Sequence, residues 1–224
     1  MNGIPFFSYF LSAPSKPLAI IGSDFCATHR TSLKMKWTRG ALSNDLFLVQ
    51  SHRGPLFSIT RKSKDPNSAK ILSNLNDTAL VNLRSEIVTT TLPNQYAYKG
   101  KGKSNLLFEI LPPSAFWGDT VQINAKDIST NKSARFLIKD TATQKATVWL
   151  RNKRPPGQAI ARIQSLWNWK TLFSQAREYK LTIARNVDMA FIVALALALD
   201  EIKVIQRRFK KLAEEENDFL ANWN

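Results

Sequence analysis

A mainly β domain wrapped around one apolar C-terminal helix is the fold class this sequence predicts, and three observations predict it. From Met189 to Leu199 every residue is apolar, with Ala and Leu dominant. Such a run has high helix propensity, and a helix apolar on every face must be buried on every face. The run is also too short for a bilayer: at 1.5 Å per residue it spans about 16 Å, against a hydrocarbon core of about 30 Å. Upstream, short alternating apolar and polar segments are punctuated by Gly, Pro, Asn and Asp, the pattern of strands and turns.

The helix is prepared by its own approach. Tyr179, Leu181 and Ile183 alternate as a strand, Arg185 and Asn186 make a turn, and Asp188 stands where an N-cap belongs. A carboxylate there takes free amides of the first helical turn. Asp188, Phe191, Leu195, Leu197 and Leu199 are therefore the expected residues of a structural core helix. Asp200, Glu201 and Lys203 interrupt the run. Beyond them Ile202, Ile205, Phe209 and Leu212 fall three to four apart, so the helix is expected to continue with one apolar face.

Earlier in the chain, residues 1–32 carry Pro5, Pro14 and Pro17 and no sustained period, and are read as an irregular arm. Leu33, Met35 and Trp37 alternate with Lys34, Lys36 and Thr38, a strand with a basic outer face. Leu46–Val49 and Leu56–Ile59 are further strands, joined through a Ser51–Gly54 turn. Asp65-Pro66-Asn67 and Asn74–Asp77 read as turns, and Ala69, Ile71 and Leu80–Leu83 as strand residues. Ile87–Leu92 has β-branched strand composition. Tyr96 and Tyr98 alternate ahead of Lys99-Gly100-Lys101-Gly102-Lys103, read as a mobile basic loop. Leu106–Leu111, Val121 with Ile123, and a hairpin across Asp140–Gln144 follow. Arg151–Gly157 is a basic, Pro-rich turn, and Ala159, Ala161 and Ile163 alternate before the aromatic Leu166–Trp169.

The segment Asn186–Leu195, ending in Leu199-Asp200-Glu201-Ile202, resembles the C-terminal signature of the LURP-one-related family. That family belongs to the tubby C-terminal-like group, with the tubby proteins and the phospholipid scramblases. The resemblance covers roughly Leu33 to Ile205. It implies a closed antiparallel β-barrel around a central hydrophobic C-terminal α-helix, a tubby C-terminal-like fold. The expected organisation is an arm at 1–32, the barrel with its helix at 33–205, and a helical tail at 206–224. The strand–turn–strand pattern departs from the family at Asn76-Asp77, where the usual Gly is missing; Asn tolerates the left-handed conformation needed there.

Composition narrows the function. The 224 residues carry a net charge of +15 and 44% hydrophobic residues, enough for one large domain and suited to anionic partners. Cys26 is the only cysteine, which excludes an intrachain disulfide framework and fits a reducing compartment. Phe6, Phe7, Tyr9, Phe10 and Leu11 are preceded by no Lys or Arg, and position 2 is Asn. A secretory signal and a myristoylation pattern are both unmatched. An intracellular, cytoplasmic monomer is expected, with membrane surface or nucleus as further settings.

Catalytic chemistry finds little footing. Cys26 and His29 stand three apart, without the oriented base that a thiolate nucleophile needs. One Cys and two His cannot close a structural zinc site. Gly102-Lys103-Ser104 ends like a phosphate-binding loop, but position 97 is Ala and two prolines follow the next strand. No enzyme activity, cofactor or metal is expected.

Basic clustering is the stronger signal. Lys34 and Lys36; Arg61, Lys62 and Lys64; Lys99, Lys101 and Lys103; and Arg151, Lys153 and Arg154 are the candidate anion- or lipid-binding residues. Resemblance to tubby proteins implies a phosphoinositide headgroup site on the barrel exterior, although no tubby motif transfers residue by residue. Peripheral binding to anionic phospholipid, or an adaptor role, is the expected function. A scramblase-like membrane protein using Met189–Leu199, or a nucleic-acid binder, are the alternatives.

Overall fold

The computed structural model describes residues 10–39, 45–61, 69–86, 93–112, 120–140, 145–151, 157–166 and 178–221. After a short 3-10 turn at Ser23–Phe25 come β1 (Thr31–Arg39), β2 (Asp45–Ser51), β3 (Gly54–Arg61) and β4 (Lys70–Asn74). β5 (Ala79–Glu86), β6 (Asn94–Lys99), β7 (Leu106–Leu111) and β8 (Thr120–Asp127) follow. β9 (Lys132–Asp140), β10 (Lys145–Leu150), β11 (Gln158–Ser165) and β12 (Glu178–Ile183) precede the helix α1 (Met189–Ala221). Each strand pairs antiparallel with its sequence neighbours, and β1 pairs with both β2 and β12, so the sheet closes into a barrel. Closure removes the free edges that an open sheet exposes.

The closed antiparallel barrel around a buried C-terminal helix is thus the fold the sequence leads to. Every residue from Ala190 to Ile202 is buried, including Phe191, Leu195, Leu197 and Leu199. The Phe191 ring sits 5.1 Å from Phe108 and 4.9 Å from Phe136, which anchors the first helical turn against β7 and β9. The wall contributes alternate residues such as Leu33, Met35, Ile59, Leu83, Ile123, Ile138 and Leu181, as a period of two requires. On β6 the alternation of Tyr96 and Tyr98 marks a strand, as read above. Gln95 and Ala97 are buried, while Tyr96 and Tyr98 are half-buried on the outer face. Aromatic alternation marks a strand but does not say which face meets the core.

The two ends of the barrel differ. One receives the short connections β2–β3, β4–β5, β6–β7 and β8–β9, the β10–β11 connection and the start of α1; we call it the arm end, because residues 10–30 cross it. Leu18 bridges Val187 and Cys26 bridges Asp188. Main-chain bonds Leu18–Asn186, Ala27–Val187 and Asn186–Ala27 fix the arm there. At the other, exit end α1 leaves the sheath. Its 33 residues span about 50 Å, against about 30 Å for a nine-residue strand. Asp65–Asn67, Ile87–Leu92, Phe116, Trp117, Trp167 and Trp169 lie outside the described residues.

Turn chemistry at the arm end replaces the glycines that the family pattern suggests. At Asn76-Asp77 the left-handed residue is Asp77, with φ 55°, rather than the expected Asn, and in the β8–β9 turn it is Asn131, with φ 57°. Asn74 builds the β4–β5 turn by accepting the amides of Asn76 and Thr78 through Oδ1. Gly157 is the position where glycine is needed. It has φ +99°, and a Cβ there would meet the Leu150 carbonyl oxygen at 2.5 Å.

Candidate functional site

At the arm end the chemistry centres on two carboxylates. Asp188 is fully buried, and its Oδ2 accepts the amides of Ile20, Ile21 and Gly22 at 3.1, 2.7 and 3.1 Å. Its Oδ1 accepts the Phe191 amide at 3.1 Å, the N-cap bond. Burial raises the carboxyl above its ordinary value, and these amides pull it back. Asp127, at the end of β8, accepts the Ala19 amide at 3.2 Å, the Ser129 hydroxyl at 2.8 Å and the Thr130 hydroxyl at 2.6 Å. Its burial acts upward, but the hydroxyls of Thr130 and Ser129 and the amides of Ser129 and Ala19 outweigh it and hold the group below the usual carboxylate range. The two side chains staple the arm across the mouth of the barrel and are structural.

Cys26 belongs to this seal. Its Sγ lies 3.7 Å from the Leu18 carbonyl, and burial, followed by the charges of Asp188, Asp127 and Asp24, pushes the thiol up to about 11. His29 is exposed, with Nδ1 3.1 Å from the Thr28 hydroxyl. The thiol is thus driven away from the reactive thiolate, and the His29 ring is engaged with Thr28 rather than with Cys26. Among the described residues no group of three His, Cys, Asp or Glu could hold a metal ion.

The exit end holds the helix by side chains instead. Lys70 on β4 and Glu201 on α1 form an ion pair at 2.8 Å, each 7% exposed. Burial lowers the Lys70 ammonium below its ordinary value, while Glu201 opposes the shift. The Tyr179 hydroxyl donates to Asp200 at 2.5 Å, and the Gln95 amide donates to the Ala198 carbonyl at 3.2 Å. Arg61 is the register partner of Lys70 and lines a cavity of about 20 Å³ with Lys70, Asp200 and Leu197. That volume has room for about one water. Arg61 therefore sits on the inner lip beside the helix rather than on the outer face.

The other sequence candidates separate along the barrel. Lys34 is exposed on the outer face of β1, paired with Glu178 at 2.6 Å in a shallow groove of about 300 Å³ that Lys180 and His52 also line. Lys36 is exposed one register step further along, opposite Glu178. Lys99, Lys101 and Lys103 are exposed on the β6–β7 hairpin, and Arg151 on the β10–β11 connection, all at the arm end. The 99–103 loop, read above as mobile, is tied down. The Asn82 amide donates to the carbonyls of Lys101 and Gly102 at 2.9 Å each, and Gly100 donates to Leu80. It is a hairpin between strands, not a strand-to-helix phosphate loop. Lys62, Lys64, Lys153 and Arg154 lie outside the described residues. Lys70 escaped the sequence reading; its signal was the two-residue spacing to Leu72, which turns the ammonium inward.

Twelve antiparallel strands closed around a buried C-terminal helix define a tubby C-terminal-like domain. Within that class the chain belongs to the LURP-one-related family, whose model matches residues 31–200. This is a family of non-catalytic domains. The fold is similar to that of an Arabidopsis thaliana protein solved by X-ray crystallography. The two share a TM-score of 0.57 at 17% identity, over 83% of this chain and 99% of the other. No curated protein matches.

Proposed function

We propose that this domain is a non-enzymatic binding module that attaches peripherally to anionic, phosphoinositide-bearing membrane surfaces through the basic hairpins of its arm end. The observation that supports this reading is placement: Lys99, Lys101, Lys103 and Arg151 are exposed at one end of the barrel, the first three on a hairpin tied down by Asn82, and Arg151 with its amide donating to the Arg135 carbonyl. Each Lys or Arg near an anionic surface contributes about 1 kcal/mol, so four give reversible attachment. The apolar helix is an unsuitable anchor, because Ala190–Ile202 is enclosed. Among the described residues no helix is long and apolar enough to cross a membrane.

The test is co-sedimentation with phosphatidylcholine vesicles carrying phosphatidylinositol bisphosphate, at low and high salt, beside a DNA mobility shift. Lys99→Gln, Lys101→Gln, Lys103→Gln and Arg151→Gln together should weaken vesicle binding, and salt should weaken the wild type in the same direction, since exposed charges are screened within about 8–10 Å. Equal, salt-insensitive binding by both proteins would remove the reading. Tight DNA binding without vesicle binding would replace it with a nucleic-acid partner.

A further inference from the structure

Five large apolar side chains are exposed among the described residues: Phe10 at 87%, Leu75 at 58%, Leu106 at 52%, Ile128 at 50% and Leu166 at 40%. Four of the five stand at the arm end. Leu75, Leu106 and Ile128 occupy three consecutive hairpins, β4–β5, β6–β7 and β8–β9, whose strands are neighbours in the barrel wall. Phe10 joins them from the arm, where the Ser12 amide donates to the Ala159 carbonyl at the start of β11.

Local folding does not require these side chains. In the β4–β5 turn Asn74 accepts two amides and Asp77 supplies the left-handed residue. Leu75, between them, does neither. The β8–β9 turn has the same plan. Asp127 accepts from Ser129 and Thr130, Asn131 supplies the left-handed residue, and Ile128 follows the carboxylate with its side chain in solvent. Turn positions favour small polar residues for physical reasons, so an apolar side chain at the same place in two turns, unpacked in both, calls for a contact outside the domain. The Ile128 main chain is meanwhile held by its amide bond to the Ala19 carbonyl at 2.8 Å. The tips are apolar and their supports are firm.

The surrounding charge selects the partner. On these three hairpins Lys99, Lys101, Lys103 and Lys132 are exposed, against Asp77 alone. Isolated apolar tips set among cations match an anionic bilayer: phosphates take the ammonium groups, and the headgroup–acyl boundary takes the tips. We propose that the arm end is a membrane-insertion face, in which Leu75, Leu106 and Ile128 enter that boundary while the lysines hold the headgroups. The barrel then stands upright on the bilayer, and α1 leaves it pointing away. This rests on the membrane reading above and adds depth and orientation to it.

The test uses phosphatidylcholine–phosphatidylserine vesicles and two readouts. In a Cys26→Ser background, Ile128→Cys carries an environment-sensitive dye; its emission should shift to the blue on vesicle addition and be quenched by shallow spin-labelled lipid. The same dye at Lys139→Cys, near the exit end, should not respond. Separately, Leu75→Ser, Leu106→Ser and Ile128→Ser together should weaken vesicle binding on the order of 10- to 100-fold with the melting temperature unchanged. Leu166→Ser, at the exit end, should bind as wild type. If the wild type binds vesicles while the Ile128 dye stays water-like and the triple variant binds equally, insertion is wrong and the electrostatic reading stands. If the wild type binds no anionic vesicle at any salt, both fall.

Discussion

The two ends of the barrel finish the same apolar helix by opposite means. At the arm end a single carboxylate, Asp188, is satisfied by four main-chain amides, three of them from a segment more than 160 residues earlier. At the exit end the helix is held by side chains that meet across the wall, Lys70 to Glu201 and Tyr179 to Asp200. The difference matters because main-chain amides cannot be exchanged for something apolar, whereas a side-chain pair can. The arm end is therefore irreplaceable in kind, and the exit end is negotiable. That division also separates the working surface from the latch: exposed apolar tips and the cations of the basic hairpins stand at the sealed end, and the buried ion pair Lys70–Glu201 at the other.

Removing Asp188 should break the comparison most severely. Asp188→Ala leaves four amides without an acceptor, three of them buried, at about 1–3 kcal/mol for each buried one. A loss of roughly 4 kcal/mol or more is expected, a large share of a domain's total of about 5–15. Urea unfolding measures it, and limited proteolysis should cut first within the arm, residues 10–30. A variant with wild-type stability would mean that the arm does not depend on this carboxylate.

The exit end should respond differently. Lys70→Met strands the Glu201 carboxylate in the wall and should cost about 3–5 kcal/mol. Lys70→Met with Glu201→Leu should recover most of that, because an apolar pair of similar volume replaces a buried ion pair at little net cost. A double variant no better than the single one would show that the pair does more than fix the depth of the helix.

Acid should loosen the arm end by a smaller amount. Asp127 is held below its ordinary value of 3.8. A carboxyl with a depressed folded value contributes stability above 3.8, and that contribution is lost as pH falls through the folded value. Asp127→Asn should therefore be less stable than wild type at neutral pH, by about 1–2 kcal/mol. The gap should narrow as pH falls below 3.8 and through the lower folded value. Thermal unfolding across that range checks it; a gap independent of pH would assign the effect to shape rather than charge.

Much of the architecture was legible in the residues. An eleven-residue apolar run flanked by Asp188 and Asp200 admits little but a sheathed helix, and alternation at Leu33–Trp37, Val121–Ile123 and Ala159–Ile163 marked strands that the structure contains. What was not legible is long-range. Asp188 reads as a cap for its own helix, and the Phe191 amide agrees, but nothing near it announces Ile20, Ile21 and Gly22. Strand phase was hidden where polar residues face inward, as at Gln95 and Lys70. The basic residues were visible as clusters, yet only the order of strands around the barrel decides which share an end. Arg61 went to the inner lip by that rule, and Lys99, Lys101, Lys103 and Arg151 to the arm end.

The most direct test of this division is hydrogen exchange on the intact chain, with and without phosphatidylcholine–phosphatidylserine vesicles. New protection is expected in the β4–β5, β6–β7 and β8–β9 hairpins, none at the exit-end amides of β4 and β12, and slow exchange throughout Ala190–Leu199 in both states. Faster exchange of Ala190–Leu199 on vesicle addition would mean instead that the helix leaves its sheath to enter the bilayer.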